Sequence, residues 1–164
     1  LENPKHSVNL GSTIRNVSAF GVEKIYVVSG YKGIPKTFEK FRTNKELSTS
    51  SVGSNKWTFI RHFNTTEDCI NHLRKKIFTI AVTSPHLKGK ENVNLYSGQF
   101  TQKRLAVWFG NESEGISEVA ANNADMCVQI PMAGIVESLN LGTSTGIVLS
   151  YVREQRLNFI KNKL

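Results

Sequence analysis

The stretch IPMAGIVESLNLGTSTGIVLSYVREQR, Ile130 to Arg156, decides how the chain is read. It follows the apolar run MCVQI, a predicted strand, and passes into a helical pattern, so it is a strand-to-helix junction. Leu141, Thr145, Val148 and Val152 share one face, which predicts a helix from about Ser138 to Leu157 serving as a core or interface element. From Ile130 to Ser150 the only ionisable side chain is Glu137, and Gly142, Ser144, Gly146 and Ser150 are interleaved with aliphatic residues. In a chain of which 21% is charged, a junction so small and so nearly neutral needs a physical cause.

Working outward, Leu10, Ile14 and Val17 recur at helical spacing, with Gly21 as a C′ stop, and Lys24 to Val28 reads as a buried strand. Gly30 to Asn55 is polar, a loop with a short helix, and Lys56 to Phe63 alternates like an edge strand. Thr65-Thr66-Glu67-Asp68 offers a capping box for a helix ending near Lys76. IFTIAVTS is a strand, a polar connection runs through Pro85 and Gly89 to Gly98, and LAVWFG is another strand. Ser117 caps a short helix before MCVQI. Strands alternating with helices predict an α/β fold, a mostly parallel sheet with helices on both faces. Neither a repeat nor a linker divides residues 1–164, which predicts a single domain. No G-x-G-x-x-G or G-x-x-x-x-G-K-[ST] occurs, which disfavours nucleotide binding of the Rossmann or P-loop kind.

Of the 164 residues, 39% are hydrophobic and 9% aromatic, which argues against disorder. No apolar run approaches a membrane span and nothing resembles a signal peptide, and Cys69 and Cys127 read as buried residues in a reducing cytosol, which predicts a cytoplasmic protein. Cys69, His62 and His72 around one helix make a poor closed zinc site, so no metal is expected. The 21 basic residues exceed the 13 acidic ones, a formal charge of +8, which implies attraction to a polyanion, most often nucleic acid. The excess lies in Lys32–Lys56, Arg61–Lys76, Lys88–Arg104 and a short basic tail, where Lys40, Arg42, Lys45, Arg74 and Lys75 are either solvated or set against phosphates.

Three segments in fixed order carry the chemistry: Asn9 with Arg15 six residues later, followed by AFGV; FGNESEGIS, Phe109 to Ser117, directly after a strand; and IPMAGIVESLN, Ile130 to Asn140. Together with SVGSNKWTF, Ser51 to Phe59, they resemble the SPOUT-class RNA ribose 2′-O-methyltransferases of the TrmH type over nearly the whole chain. The resemblance implies a C-terminal trefoil knot, a homodimer joined through the knot region and C-terminal helix, and S-adenosylmethionine as methyl donor. It aligns Leu1-Glu2 with the end of the family's first strand, so an upstream segment is expected. It puts Thr83, Gly110, Ile130 and Leu139 at the cofactor, with Ile130 and Leu139 flanking the adenine. A junction that passes another segment closely while lining an adenine pocket would keep small, uncharged residues, and Gly134, Gly142 and Gly146 fit that demand.

For catalysis the resemblance implies Arg15, with Asn9 and Glu112 orienting it, and Ser138 and Asn140 positioning the ribose or the knot backbone. Arginine, with a pKa above roughly 12, is a poor base. It is better suited to hold the adjacent phosphate and stabilise the developing alkoxide. The expected substrate is structured RNA, with transfer RNA and a D-loop guanosine favoured over ribosomal RNA. The alternatives are a ribosomal RNA ribose methyltransferase and a non-catalytic RNA-binding protein on the same scaffold. Gly142 and Gly146, four apart, permit close approach of a partner element, which the resemblance implies is the same helix region of a second subunit.

Overall fold

The computed structural model describes residues 1–31, 33–88 and 91–162; Lys32, Gly89, Lys90 and the last two residues, which the basic clusters, the polar connection and the basic tail include, lie outside them. The helices are α1 (Ser7–Ala19), α2 (Phe38–Thr43), α3 (Lys45–Ser50), α4 (Thr66–Lys75), α5 (Glu118–Asn122) and α6 (Leu141–Lys161). The strands are β1 (Lys24–Val28), β2 (Phe59–Phe63), β3 (Thr79–Thr83), β4 (Asn92–Asn94), β5 (Leu105–Trp108) and β6 (Met126–Gln129), with a 3₁₀ turn at Ser54–Lys56. Most helix starts are written in the sequence. Thr65 accepts from the Asp68 N–H, Ser117 from Ala120, and Asn140 from Gly142 and Thr143. No helix among the described residues is long and apolar enough to cross a membrane.

All the strand pairs among the described residues are parallel. One group runs β4-β6-β3-β5 and another pairs β1 with β2. Residues 1–3 join the two groups. The Val28 N–H donates to the Leu1 carbonyl (2.8 Å), Asn3 N–H to Val28 (2.7 Å) and Glu2 N–H to Phe109 (2.9 Å). In a parallel arrangement the carboxyl ends of neighbouring strands fall on one edge, so the turns after β3, β5 and β6 open together. Two sequence readings change here. The polar connection before Gly98 contains β4, whose Asn-Val-Asn carries no strand pattern but pairs with β6. The polar region before Asn55 folds as α2, α3 and the 3₁₀ turn rather than a loop with one helix.

The expectation that Gly142 and Gly146 face a second subunit is corrected by the packing of α1 on α6. A Cβ on Gly142 would lie 2.9 Å from the Ser12 Cβ, and one on Gly146 would lie 3.4 Å from Asn16 Nδ2. Asn16 Nδ2 in turn donates to the Gly142 carbonyl (2.7 Å) and to Thr145 Oγ1 (2.9 Å). The missing side chains let two helices of the same chain meet closely enough for an asparagine to bond the backbone between them. Leu141, Thr145, Val148 and Val152 are all buried. The zinc candidates are separately engaged: burial pushes the Cys69 thiol up to about 11, His62 Nε2 sits 2.9 Å from the Ser29 carbonyl, and His72 Nε2 sits 3.2 Å from the Tyr26 hydroxyl.

Glu2 is only 2% exposed, yet it is charged, because it accepts four hydrogen bonds. They come from the Thr66 hydroxyl, the Ser117 N–H (3.0 Å) and hydroxyl (2.7 Å), and Trp108 Nε1 (3.1 Å). Burial raises its pKa, but the hydrogen bonds together outweigh burial and hold it below the ordinary value of 4.5. A depressed carboxylate contributes stability above its unfolded value and loses it as the pH falls through its folded one. Glu2→Gln turns an N–H₂ toward these donors and is expected to cost about 1–3 kcal/mol in urea unfolding at pH 7. The difference from wild type should narrow below pH 4.5, and an equal difference at pH 3 and pH 7 would contradict the assignment.

Candidate functional site

The carboxyl ends of β3, β5 and β6 enclose a cleft of about 270 Å³. Phe109, Ile116, Val128, Ile130 and Leu141 form apolar walls, Thr83, Gly110, Ser138 and Leu139 line it, and Glu112, Glu114 and Glu137 bring carboxylates to it. The Thr83 hydroxyl donates to the Trp108 carbonyl (3.1 Å), tying the β3 and β5 ends together. Gly110 is required by its own loop: a Cβ there would lie 2.1 Å from the Gly115 carbonyl carbon, because the Asn111–Gly115 turn closes on itself through paired backbone bonds. Gly115 itself adopts φ 70°.

One hydrogen-bonded chain links the three motif segments. Asn140 Oδ1 accepts the Gly142 N–H (2.8 Å), Asn140 Nδ2 donates to Asn9 Oδ1 (2.9 Å), and Asn9 Nδ2 donates to Glu112 Oε1 (2.8 Å). Its polarity is fixed from both ends. A backbone N–H at the start of α6 can only donate, and a carboxylate can only accept, so both amides are oriented by chemistry. The Lys5 N–H (3.0 Å) and the His6 N–H (3.4 Å) also donate to the Glu112 carboxylate. His6 gives α1 no side-chain cap, so Glu112 from a distant loop satisfies the donors there instead. Burial raises the Glu112 pKa, but the bonds from Asn9, Lys5 and His6 outweigh it and hold the carboxyl below its ordinary value. Glu112 is therefore an anion and a fixed acceptor at neutral pH, which suits anchoring better than proton abstraction.

The structure gathers Asn9, Glu112 and Asn140, and sets Thr83, Gly110, Ile130, Ser138 and Leu139 around the adjoining cleft. Arg15 stands apart, and the expected contact of Asn9 and Glu112 with it is corrected. Six residues along a helix rotate a side chain to about 120° from its starting direction, so Arg15 leaves the face Asn9 occupies. It is exposed, with no hydrogen-bond or ion-pair partner among the described residues. Ser138 is likewise exposed. Asn111, which the sequence reading passed over, is buried and organises the second segment. Its Oδ1 accepts from Ser113 and Glu114 N–H and its Nδ2 donates to the Asn3 carbonyl (2.7 Å). An asparagine after Gly110 in a polar turn is the signal that could have marked it.

Residues 1–150 match the SpoU rRNA Methylase family. The chain is 31% identical over 157 residues to a tRNA (guanosine(18)-2′-O)-methyltransferase of Thermus thermophilus, spanning 96% of this chain and 74% of that protein. It is 29% identical over 150 residues to the Escherichia coli protein of that name, spanning 92% and 59%. The A. aeolicus TrmH/SpoU tRNA modifying enzyme superposes with a TM-score of 0.78 at 27% identity, over 96% of this chain and 73% of that one. An AdoMet-bound rRNA methyltransferase from Sinorhizobium meliloti gives 0.80 at 29% identity, over 93% and 54%.

Asn140→Ala removes the α6 cap and the link to Asn9 together, and is expected to cost about 1 kcal/mol in chemical denaturation. In Asn9→Ala, the Glu112 carboxyl loses a donor and should titrate at a higher pH than in wild type, followed by carboxyl carbon NMR. An unmoved titration would mean that the Asn9 bond does not hold the charge.

Proposed function

This chain belongs to the SpoU rRNA methylase family and is an RNA methyltransferase, and from that premise we propose that it methylates a ribose 2′-hydroxyl of structured RNA with S-adenosylmethionine as donor. A D-loop guanosine of transfer RNA is the favoured target, in keeping with the Thermus thermophilus and Escherichia coli relatives. The observation that carries the reading is the hydrogen-bonded chain from Asn140 through Asn9 to Glu112, which locks all three motif segments beside one cleft.

The cleft suits the donor. Its walls are apolar, as an adenine requires, while Glu112, Glu114 and Glu137, set against Lys88 in the lining and Lys5 paired with Glu114, leave an excess of negative charge that a sulfonium would meet favourably. When bound, the donor supplies a methyl group on positively charged sulfur. In this reading Ile130 and Leu139 flank the adenine, Thr83 and Gly110 line the rest of the site, and their contacts are largely main-chain. Ser138 and Asn140 position the ribose. The Arg15 guanidinium, without a partner among the described residues, holds the phosphate next to the target ribose and stabilises charge developing on the 2′-oxygen. The proton goes to phosphate or water, since arginine stays protonated and Glu112 is held as a weakly basic anion.

A second copy of the chain belongs to the same proposal. In the loop between β6 and α6, Ile135 is fully exposed (101%) and Val136 largely so, an apolar tip that a homodimer joined through the knot region and the C-terminal helix would cover. The trefoil knot is proposed on the family resemblance, the single domain on the absence of a repeat or linker in the sequence, and the cytoplasmic location on the two cysteines and the lack of an apolar span. Ribosomal RNA is the second reading, supported by the Sinorhizobium meliloti relative.

The test is incubation with labelled donor and separate transfer and ribosomal RNA transcripts, followed by nuclease mapping. Label on a transfer RNA guanosine ribose is expected, and label on a base would overturn the reaction. Arg15→Ala should lower turnover by about 10²–10³-fold. Its cofactor affinity by calorimetry should stay unchanged, and full activity would remove Arg15 from the mechanism.

A further inference from the structure

A second built surface lies away from the cleft. Between α2 and α3 is a groove of about 410 Å³ where Arg42, Lys45 and Lys56 face a single carboxylate, Glu39. Beside it the aromatic side chains lie open to solvent. Phe38 and Phe59 pack with ring centroids 5.6 Å apart, the Arg42 guanidinium lies 5.6 Å from the Phe38 ring, and Lys24 Nζ lies 5.9 Å from the Phe59 ring. Trp57, next to Lys56, is 86% exposed. An indole is among the costliest surfaces to leave in water, so one displayed this fully beside cations points to a ligand with a flat face and negative charge.

The display is held rigidly. Asn55, fully buried, donates from Nδ2 to the Phe41 carbonyl (2.9 Å) and the Arg42 carbonyl (3.3 Å), while its Oδ1 accepts the Ser51 hydroxyl (3.2 Å). These bonds fix the turn that carries Trp57 to the end of α2 that carries Arg42. The turn also holds a β-branched residue, Val52, at φ 52°, a conformation that persists only where the surroundings impose it. The platform touches the catalytic helix. A Cβ on Gly11 of α1 would lie 1.8 Å from Ser50 Oγ of α3, and Gly11 is one helical turn before Arg15.

We propose that the α2–α3 groove and Trp57 bind an unpaired stretch of the RNA substrate, with the groove cations on its phosphates and a base stacked on the Trp57 indole. The inference rests on the RNA substrate reading above and adds where that RNA is gripped. Cationic grooves that track phosphates beside aromatic platforms that stack bases are what single-stranded nucleic acid requires, and stacking tolerates any base. Duplex RNA offers phosphates but no free base face, so the surface should prefer unpaired RNA.

The experiment measures binding of a single-stranded oligoribonucleotide and a duplex of matched length by fluorescence anisotropy across a salt series. It uses wild type, Trp57→Ala, Trp57→Phe and the triple variant R42Q/K45Q/K56Q, with thermal unfolding and S-adenosylmethionine affinity recorded for each. Trp57→Ala should weaken single-strand binding by roughly 5- to 100-fold and erase the preference over duplex, while Trp57→Phe retains most of it. The triple variant should flatten the slope of log K against log salt by about 2. All variants should melt and bind donor as wild type does. Unchanged affinity and slope, or equal loss on duplex and single strand in Trp57→Ala, would overturn the proposal. Methyl transfer by wild type, assayed separately, tests the enzymatic reading, so either can fail alone.

Discussion

The arrangement depends on a chain of two amides between a helix N-terminus and a carboxylate. Gly142 and Thr143 N–H groups orient Asn140, Asn140 orients Asn9, and Asn9 meets Glu112. Each link has one chemically permitted direction, so the chain has no degenerate arrangement. It draws α1, the turn after β5 and the start of α6 to a common point. Glu112 simultaneously occupies the uncapped start of α1, so a change there would disturb a helix end and the cleft wall together.

Beneath that point lies a scaffold that depends on a second carboxylate. Residues 1–3 stand between β1 and β5, and Glu2 accepts hydrogen bonds from Trp108, Thr66 and Ser117, reaching β5 and the starts of α4 and α5. Asn111 continues the same stitching by donating to the Asn3 carbonyl. Because the described strands pair in parallel, joining the groups through the first residues puts α1 and its asparagine alongside the ends of β5 and β6. Small residues then set the spacing. Gly142 and Gly146 let α1 lie against α6, and Gly11 lets α3 lie against α1.

This packing divides the molecule by chemistry. Apolar walls with acidic residues belong to the cleft, whereas the groove between α2 and α3 is cationic and flanked by exposed aromatic rings. Arg15 lies on the helix between them, turned out from the Asn9 face and unpaired among the described residues. A cation left solvated retains its full charge for an incoming anion, whereas one already paired would first have to be freed.

The sequence by itself determined the class of fold, most of the strands, the caps at Thr65 and Ser117, and the residues of the three motifs. Those features depend on local periodicity and on side chains that bond within a turn. It did not disclose β4, because Asn-Val-Asn becomes a strand only through pairing with β6. Nor did it disclose what Gly142 and Gly146 admit: a glycine states that something comes close, and only the folded chain says that it is α1. The same holds for Asn9, whose partner is Glu112, 103 residues away, rather than Arg15 on its own helix. Spacing along a chain fixes which face a residue takes, while long-range packing alone decides what stands opposite that face.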